Sequence, residues 1–383
     1  MATDRATARW ASSGLAYLTG LPDGPPDFSR ANVLARAEQI AADAATLLTG
    51  RAGLLGFTRN GRTSAGGATR LLAARDGWVA ITLSRPDDLA AVPALLHADD
   101  VPDDPWPTLQ RWAATRAVSA ITEAAELLDI PAAGLGEAAA TPPGIRGIGE
   151  RTPARGPVGL LVADLSSMWA GPLCGHLLAC AGATVVKVES PRRPDGTRRG
   201  NPAFFDWING EKLSYCVDFD RQADQLRALL AASDVVIEGS RPAALARRRL
   251  GPDDIAPRPG RIWLRITGYD EHPRRPAFGD DAAVAGGLVG TSSRGPVFCA
   301  DAIADPLTGL EAAGAVTDSL NRGGGELIQV AMAAVAATYA ALPETATGSV
   351  HPVLPPKPPP PTRPAAVLGA DDAQVRRLVA ERC

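Results

Sequence analysis

The chain has 383 residues, of which 45% are hydrophobic and 21% are charged. This length suits two or three domains with a large core, and the apolar share argues against wholesale disorder. The formal net charge of -3 at pH 7 gives no electrostatic basis for binding nucleic acid or an anionic membrane surface.

The cysteines and histidines give no sign of a metal centre. Five cysteines form no CxxC pair, and four scattered histidines lack the spacing of a metal site. We therefore expect no metal, and we interpret the cysteines as reduced, mostly buried thiols of a cytoplasmic protein. The N-terminal segment has no apolar stretch typical of a signal peptide, and no apolar run is long enough to cross a bilayer. The longest such run, Ile328–Leu342, is Ala-rich and predicts a buried helix.

Residues 1–150 predict a small α+β domain. Arg75-Asp76-Gly77 is a good hairpin turn, because Gly accepts a positive φ angle. A Gly/Pro-rich linker follows at residues 141–157. The strands of the hairpin are predicted at 70–74 and 78–83, and helices at 30–48, 86–96, 106–115 and 118–128.

Residues 155–345 predict an α/β domain, because short apolar strands alternate with helical segments. This order favours a parallel sheet covered by helices. Ligands bind at the carboxyl ends of such strands, so the loops around Ser166, Glu189 and Glu238 are candidate sites. Strands are predicted at 158–163, 184–188, 215–219, 234–237 and 262–267, and helices at 172–180, 222–232 and 242–250.

Residues 346–383 differ in composition from the rest of the chain. Residues 352–364 are proline-rich and predict an extended strap, and residues 371–382 predict a short amphipathic helix.

Asp305 stands before Pro306 and an apolar run, which indicates the start of a helix. The local residues leave two interpretations open. One is a structural helix cap, for which Asp before Pro is common. The other is a nucleophile, kept ionised and partly exposed by the positive end of the helix dipole and its open N–H groups.

Four ordered motifs precede Asp305. They are Asp164-Leu-Ser-Ser-Met-Trp-Ala-Gly-Pro172, Gly182-Ala-Thr-Val-Val-Lys-Val-Glu189, Asn209-Gly-Glu-Lys-Leu-Ser-Tyr-Cys-Val-Asp218 and Asp234-Val-Val-Ile-Glu238. Asp305 itself stands in an Ala-Asp-x-x-x-Gly-Leu setting. Together these motifs resemble the family III CoA-transferases, the group that includes formyl-CoA transferase, carnitine CoA-transferase and the α-methylacyl-CoA racemases, and Asp305 falls on the catalytic aspartate of that family. The resemblance implies a Rossmann-like CoA-binding domain and a second, small α+β domain.

The same resemblance places Trp169, Ser240 and Arg247 on positions that line the CoA nucleotide pocket. Trp169 would either stack on adenine or belong to the core. Arg247 would either pair with a phosphate or lie on a solvated helix face. The basic residue that usually follows Glu189 in the family is replaced by Ser190, for which an arginine at 192, 193 or 198 would have to substitute.

The order of the segments departs from the family. Residues 61–96 resemble the small domain of the family, which normally follows the CoA-binding region, yet here they precede it. The chain therefore resembles either a circularly permuted member of the family or the second half of one unit fused to the first half of another. Family III proteins are interlocked dimers, so the resemblance also implies a homodimer.

The activity that the resemblance implies is transfer of CoA between carboxylic acids, through an aspartyl anhydride and an aspartyl thioester on Asp305. Two alternatives stay open: a 2-methylacyl-CoA racemase or epimerase, and a degenerate CoA-binding protein. Racemases of this family carry His where this chain has Asp280, in Gly279-Asp280-Asp281, which disfavours racemisation. Asp301 is interpreted as a structural, solvent-facing residue, although a position close to Asp305 would raise the pKa of one carboxyl group.

Overall fold

The structure is a computed structural model that describes residues 2–239 and 242–382. The helices are Ala2–Ser12 (α1), Leu15–Leu18 (α2), Asn32–Ala37 (α3), Ala44–Leu55 (α4), Pro86–Leu96 (α5), Trp106–Ala113 (α6), Val118–Leu127 (α7), Ala170–Cys180 (α8), Pro202–Asn209 (α9), Ala223–Ala232 (α10), Pro242–Ala246 (α11), Gly279–Ala285 (α12), Ala304–Arg322 (α13), Met332–Ala340 (α14) and Asp372–Ala380 (α15). The strands are Thr69–Ala73 (β1), Trp78–Thr82 (β2), Ala132–Gly134 (β3), Gly144–Gly147 (β4), Leu161–Asp164 (β5), Thr184–Glu189 (β6), Leu213–Cys216 (β7), Val235–Glu238 (β8), Ile262–Thr267 (β9), Val289–Ser292 (β10), Gly295–Phe298 (β11) and Glu326–Ala331 (β12).

The chain divides into two compact units, and neither is a continuous stretch of sequence. Unit 1 contains Met1–Thr141, Glu271–Leu307 and Met332–Pro359, and unit 2 contains Pro142–Asp270, Thr308–Ala331 and Pro360–Cys383. The division predicted from the sequence kept residues 155–345 together, whereas the units assign 271–307 and 332–345 to the N-terminal segment.

Unit 1 is built on a small antiparallel sheet in the order β1-β2-β3. Alternate residues of its strands face opposite sides, as the twofold repeat of a strand requires. On one side Leu72, Val79 and Ile81 pack in a core with residues of α5, α6 and α7. On the other side Leu71 and Ala80 pack with residues of α12 and of the β10-β11 hairpin.

Unit 2 is built on a seven-stranded sheet in the order β4-β12-β9-β8-β5-β6-β7. Six strands are parallel, and β4 pairs antiparallel with β12 at one edge. Numbered by sequence, the parallel strands follow the order 3-2-1-4-5-6 in reverse, which is the doubly wound α/β arrangement. This result confirms the predicted α/β class with a parallel sheet.

One face of this sheet carries a core in which strand residues such as Ala163, Val186 and Val236 meet Leu226 of α10 and Val375 of α15. Strand β8 is buried along its whole length. A strand buried on both faces needs a continuous apolar run, which explains why Val235-Val-Ile was readable as a strand.

The structure differs from the sequence predictions in two places that affect the sheet. The run Ile328–Leu342 was predicted as one buried helix, but its first part belongs to β12 and only α14 is helical. The predicted linker at 141–157 contains β4. Both strands form their hydrogen bonds with sheet neighbours that are distant in sequence. The local hydrophobic periodicity therefore did not predict these strands.

Three further predictions have mixed outcomes. The helix expected over 30–48 is interrupted between α3 and α4. Cys174 and Cys299 are buried, but Cys180 is exposed and Cys216 is half-buried, so burial holds for two of the four described thiols. Within the described residues, no helix combines the length and the apolar character needed to span a bilayer.

Candidate active site

Asp305 lies in the first turn of α13, within unit 1, after a strained stretch of backbone. Ala300 and Ala302 have φ angles of 56° and 43°, a left-handed region that residues with a Cβ seldom occupy. Such strain persists where the surrounding structure enforces it, and it clusters at functional sites. The helix begins at Ala304, so Asp305 is inside the helix and is not its N-cap.

The Asp305 carboxylate is held by the backbone. The N–H of Gly279 donates to Asp305 Oδ2 at 3.1 Å, and the N–H of Asp305 donates to the carbonyl of Ala302 at 2.9 Å. A Cβ on residue 279 would lie 2.5 Å from Asp305 Oδ2. The close approach of the α12 start to the carboxylate therefore requires glycine at this position.

Asp280 lies beside Asp305 at the start of α12. Its Oδ1 accepts the N–H of Ala302 at 3.0 Å, and its Oδ2 accepts the hydroxyl of Thr69 at 3.3 Å. Burial, together with the charge of Asp301, raises the pKa of Asp280 to about 6. This pKa is close to the ordinary value of the imidazole that the resemblance places at this position in the racemases.

Asp301 is buried, with only 1% of its surface exposed, so the expectation of a solvent-facing residue was wrong. Arg51 Nη1 lies 3.3 Å from Asp301 Oδ1. Both carboxylate oxygens are buried without a hydrogen-bond partner. Burial raises the pKa of Asp301, and the positive charge of Arg51 opposes that rise.

These neighbours change the expected charge of Asp305. Burial raises its pKa to about 7; Arg51 opposes this rise, and the charge of Asp280 adds to it. The expectation that the helix start keeps Asp305 ionised is therefore wrong, because burial and two nearby carboxyl groups outweigh the helix dipole. The expectation of partial exposure is correct, since the side chain is half-buried. At neutral pH the protonated and ionised forms of Asp305 coexist.

Asp281 is adjacent in sequence but has a structural role. It is fully buried, accepts the Thr82 hydroxyl at 2.8 Å, and accepts the N–H of Phe278 at 3.1 Å. Burial raises its pKa to about 7. These bonds tie α12 to β2 and fix the start of the helix that carries Asp280.

The residues predicted to contact CoA differ in their burial. Trp169 is 2% exposed, and its ring meets Phe204 edge to face with 5.4 Å between centroids. This geometry places the indole in the core. Arg247 is exposed in the turn after α11. Ser240 lies outside the described residues.

The loop that precedes Trp169 follows β5 and is anchored by a buried ionic network. Lys187 Nζ lies 2.7 Å from Asp195 Oδ2 and also donates to the Ser166 carbonyl. Asp195 in turn accepts the N–H of Met168, whose φ is 72°. The candidate loop at the carboxyl end of β5 is thus rigidly held.

Two of the three arginines that were expected to substitute for a basic residue at 190, Arg192 and Arg198, have protein partners. Arg198 forms a bidentate pair with Glu189, with Nη2 2.6 Å from Oε2. Arg192 lies 2.9 Å from Asp218. Gly286 caps the C-terminus of α12, and a Cβ at this position would collide with Ala336 of α14.

Arg51 is the site residue that sequence reasoning missed. It lies on α4, 250 residues before its partner Asp301, and no motif marks it. In the described ranges, no group of three or more His, Cys, Asp or Glu side chains is arranged to hold a metal ion.

Comparison with known proteins agrees with the resemblance of the motifs. A succinate–glutarate CoA-transferase of Agrobacterium fabrum is 29% identical over 258 residues, covering 57% of this chain and 64% of that protein. A probable fatty acyl-CoA transferase of Mycobacterium tuberculosis is 32% identical over 205 residues, covering 48% and 52%. The crystal structure of a hypothetical protein from M. tuberculosis is 32% identical and covers 50% of this chain and 57% of that one, with a TM-score of 0.45.

The matched region covers less than two thirds of the length of each of these relatives. The profile of the family described as CoA-transferase family III matches residues 158–357, which is just over half of the 383 residues. The chain therefore belongs to CoA-transferase family III.

Proposed function

We propose that this protein transfers CoA between carboxylic acids and that Asp305 is its nucleophile. The observation that carries the proposal is the setting of this carboxylate. By the resemblance of the motifs it corresponds to the catalytic aspartate of the family; it is half-buried, and the Gly279 N–H donates to it. Its pKa of about 7 leaves a substantial fraction ionised at neutral pH.

The reaction proceeds by two exchanges on Asp305. An Asp305 oxygen attacks the acyl carbonyl of the donor thioester and expels CoA thiolate, which forms a mixed anhydride. The thiolate then attacks the Asp305 carbonyl of that anhydride and releases the donor carboxylate, leaving an aspartyl-CoA thioester. The acceptor carboxylate repeats these two steps in reverse, which gives the acceptor-CoA thioester and regenerates Asp305.

The anhydride hydrolyses unless water is kept away from it, so the carboxylate must sit in a partly enclosed place. The same enclosure raises the pKa of Asp305 through burial. Protection of the intermediate and ionisation of the nucleophile therefore oppose each other. We expect the rate to rise with pH through the range around 7, as the carboxylate forms.

The test is to trap the aspartyl thioester. The protein is incubated with acetyl-CoA, succinyl-CoA or a long-chain acyl-CoA, treated with hydroxylamine, and digested for mass spectrometry. Hydroxylamine converts the thioester into a hydroxamate on Asp305 and releases CoA thiol. Asp305→Asn should abolish the adduct, whereas Asp318→Asn, at an exposed position of the same helix, should leave it unchanged. Absence of the adduct with every donor contradicts the proposal.

The pKa of Asp280 near 6 favours a second candidate, a 2-methylacyl-CoA racemase or epimerase with two carboxyl groups as its acid and base. Exchange of the α-proton of 2-methylacyl-CoA in deuterated water, lost in Asp280→Asn, would support it. Binding of CoA with neither exchange nor adduct would instead identify a degenerate CoA-binding protein.

The nucleotide contacts and the assembly are also part of the proposal. Ser240 and Arg247 are proposed to contact CoA, as the family resemblance implies. Trp169 would contribute from the core, by shaping the loop after β5. A homodimer is proposed from family membership, and a monomeric mass by light scattering would contradict it.

A further inference from the structure

Arg51 brings a positive charge to a cluster of carboxyl groups that lies wholly within unit 1. Its Nη1 lies 3.3 Å from Asp301 Oδ1, and its guanidinium carbon lies 5.6 Å from the centre of the Phe57 ring. A Cβ on Gly66 would lie 3.2 Å from Nη2, so glycine at this position gives the guanidinium its space. The arginine side chain retains 24% exposure, whereas that of Asp301 retains 1%.

The carboxylate of Asp301 depends on the positive charge of Arg51 more than a buried carboxylate that accepts hydrogen bonds would. Neither of its oxygens has a hydrogen-bond partner, and both are buried. An ionised carboxylate is costly to bury unless a charge or hydrogen bonds compensate it. The ion pair with Arg51 supplies that compensation, since hydrogen bonds do not.

The backbone joins Asp301 directly to the proposed nucleophile. The next residue, Ala302, donates its N–H to Asp280 Oδ1 at 3.0 Å and accepts the N–H of Asp305 at 2.9 Å. A displacement of Asp301 would therefore move the backbone that holds both Asp280 and Asp305.

We infer that Arg51 is a positioning residue that, through its ion pair with Asp301, keeps Asp305 in place and favours its ionised form. This inference rests on the proposed function of Asp305. Arg51 acts through Asp301 and through its charge, and no contact with substrate is assigned to it.

The charged groups around Asp305 support this role. Segment 299–303 contributes Asp301, α12 contributes Asp280 with Asp281 behind it, and α4 contributes Arg51. The positive charge of Arg51 lowers the pKa of Asp280, Asp301 and Asp305 alike.

In the described part of the chain, the polar side chains of the adjoining strands do not replace this cation. On the adjoining strands Thr69 and Thr82 are neutral, and the Arg70 guanidinium stacks on Trp106, with 4.8 Å to the ring centre. Loss of Arg51 would therefore leave several carboxyl groups to compete for protons, and the ionised form of Asp305 would require a higher pH.

The test compares wild type with Arg51→Gln and Arg51→Lys, and uses Arg111→Gln, an exposed arginine of α6, as the control. The pH profile of kcat/KM is measured with an acyl-CoA donor and a carboxylic acid acceptor. For Arg51→Gln we expect the acid limb to move to higher pH, with about a tenfold loss at low pH for each pH unit of displacement. Arg51→Lys should restore part of the shift, and Arg111→Gln should show none. An unchanged acid limb in Arg51→Gln overturns the inference.

A second measurement keeps this test separate from that of the proposed function. Titration of ¹³C-labelled aspartate by NMR, with the Asp305 signal assigned from Asp305→Asn, reports the ionisation of the carboxyl group without turnover. If wild type forms no adduct and does not turn over, the proposed function fails, while the titration still decides the role of Arg51. If Arg51→Gln does not fold, Arg51→Lys serves as the variant, because a flexible ammonium group does not reproduce the planar guanidinium that lies 3.3 Å from Asp301. An Asp305 titration identical to wild type in that variant overturns the inference.

Discussion

Replacing Gly279 with alanine tests whether close packing against α12 holds the Asp305 carboxylate. The new Cβ would lie 2.5 Å from Asp305 Oδ2 and would also collide with the carbonyl group of Ala302. Neither neighbour is the free end of a flexible side chain, because Asp305 is short and Ala302 contributes backbone. The collision must therefore move α12, the strained 300–305 segment, or both.

The magnitude follows from two contributions. Overpacking a tight site costs about 1–3 kcal/mol. Loss or lengthening of the 3.1 Å hydrogen bond from the Gly279 N–H to the carboxylate costs about 1–2 kcal/mol more. We expect Gly279→Ala to lower the free energy of unfolding by about 2–5 kcal/mol. Since a shift of about 1 Å in a catalytic group can cost roughly 100-fold, we expect a similar fall in kcat.

Chemical denaturation at pH 7 and steady-state CoA-transfer kinetics measure these two effects. Gly147→Ala is the matched control, because a Cβ on this exposed residue of β4 would meet nothing within 4 Å. The control should keep the stability and kcat of wild type. If Gly279→Ala also retains both, to within about 0.5 kcal/mol and twofold, the close approach of α12 to Asp305 does not position the carboxylate.

Three further predictions concern stability and are measured by denaturant titration. The pKa of Asp281 in the folded protein is about 7, above its ordinary value. Between about pH 4 and 7 the folded protein therefore keeps a proton on Asp281 that the unfolded chain releases. The free energy of unfolding of wild type should thus fall across this window as the pH rises. Asp281→Asn should make this fall less steep, by up to roughly 1 kcal/mol per pH unit. Equal slopes in the two proteins would contradict the raised pKa of Asp281. Lys212→Met leaves the fully buried Asp164, 2.8 Å from Nζ, without its partner and should cost about 3–5 kcal/mol, whereas Arg192→Ala, which breaks an exposed pair, should change little. Trp169→Ala should cost about 3–5 kcal/mol, since the ring is buried, and a near-neutral effect would contradict its place in the core.

The sequence predicted those parts of the fold that are specified locally. The hairpin turn at Arg75-Asp76-Gly77 and strand β9 were predicted to within a residue or two, because turn chemistry and a continuous apolar run act over a few residues. The ordered motifs from Asp164 onward also carried the family assignment, since each motif is contiguous in the chain.

Other features depended on partners that are distant in sequence. The start of the run Ile328–Leu342 became β12 because β9 and β4 offered hydrogen bonds on its two sides. The residues of the run itself do not indicate either strand partner, and an Ala-rich apolar segment is equally compatible with a helix.

The candidate site divides in the same way. The sequence alone identified Asp305 and its neighbour Asp280, because the family motifs include them. Only the tertiary structure decided their charge, since burial and the approach of Asp301 and Arg51 set the pKa values. Arg51 and Asp301 are 250 positions apart, and electrostatic interactions act through space rather than along the chain. The assignment of Asp305 as the proposed nucleophile therefore rests on residues close together in the sequence, whereas its ionisation depends on the tertiary structure.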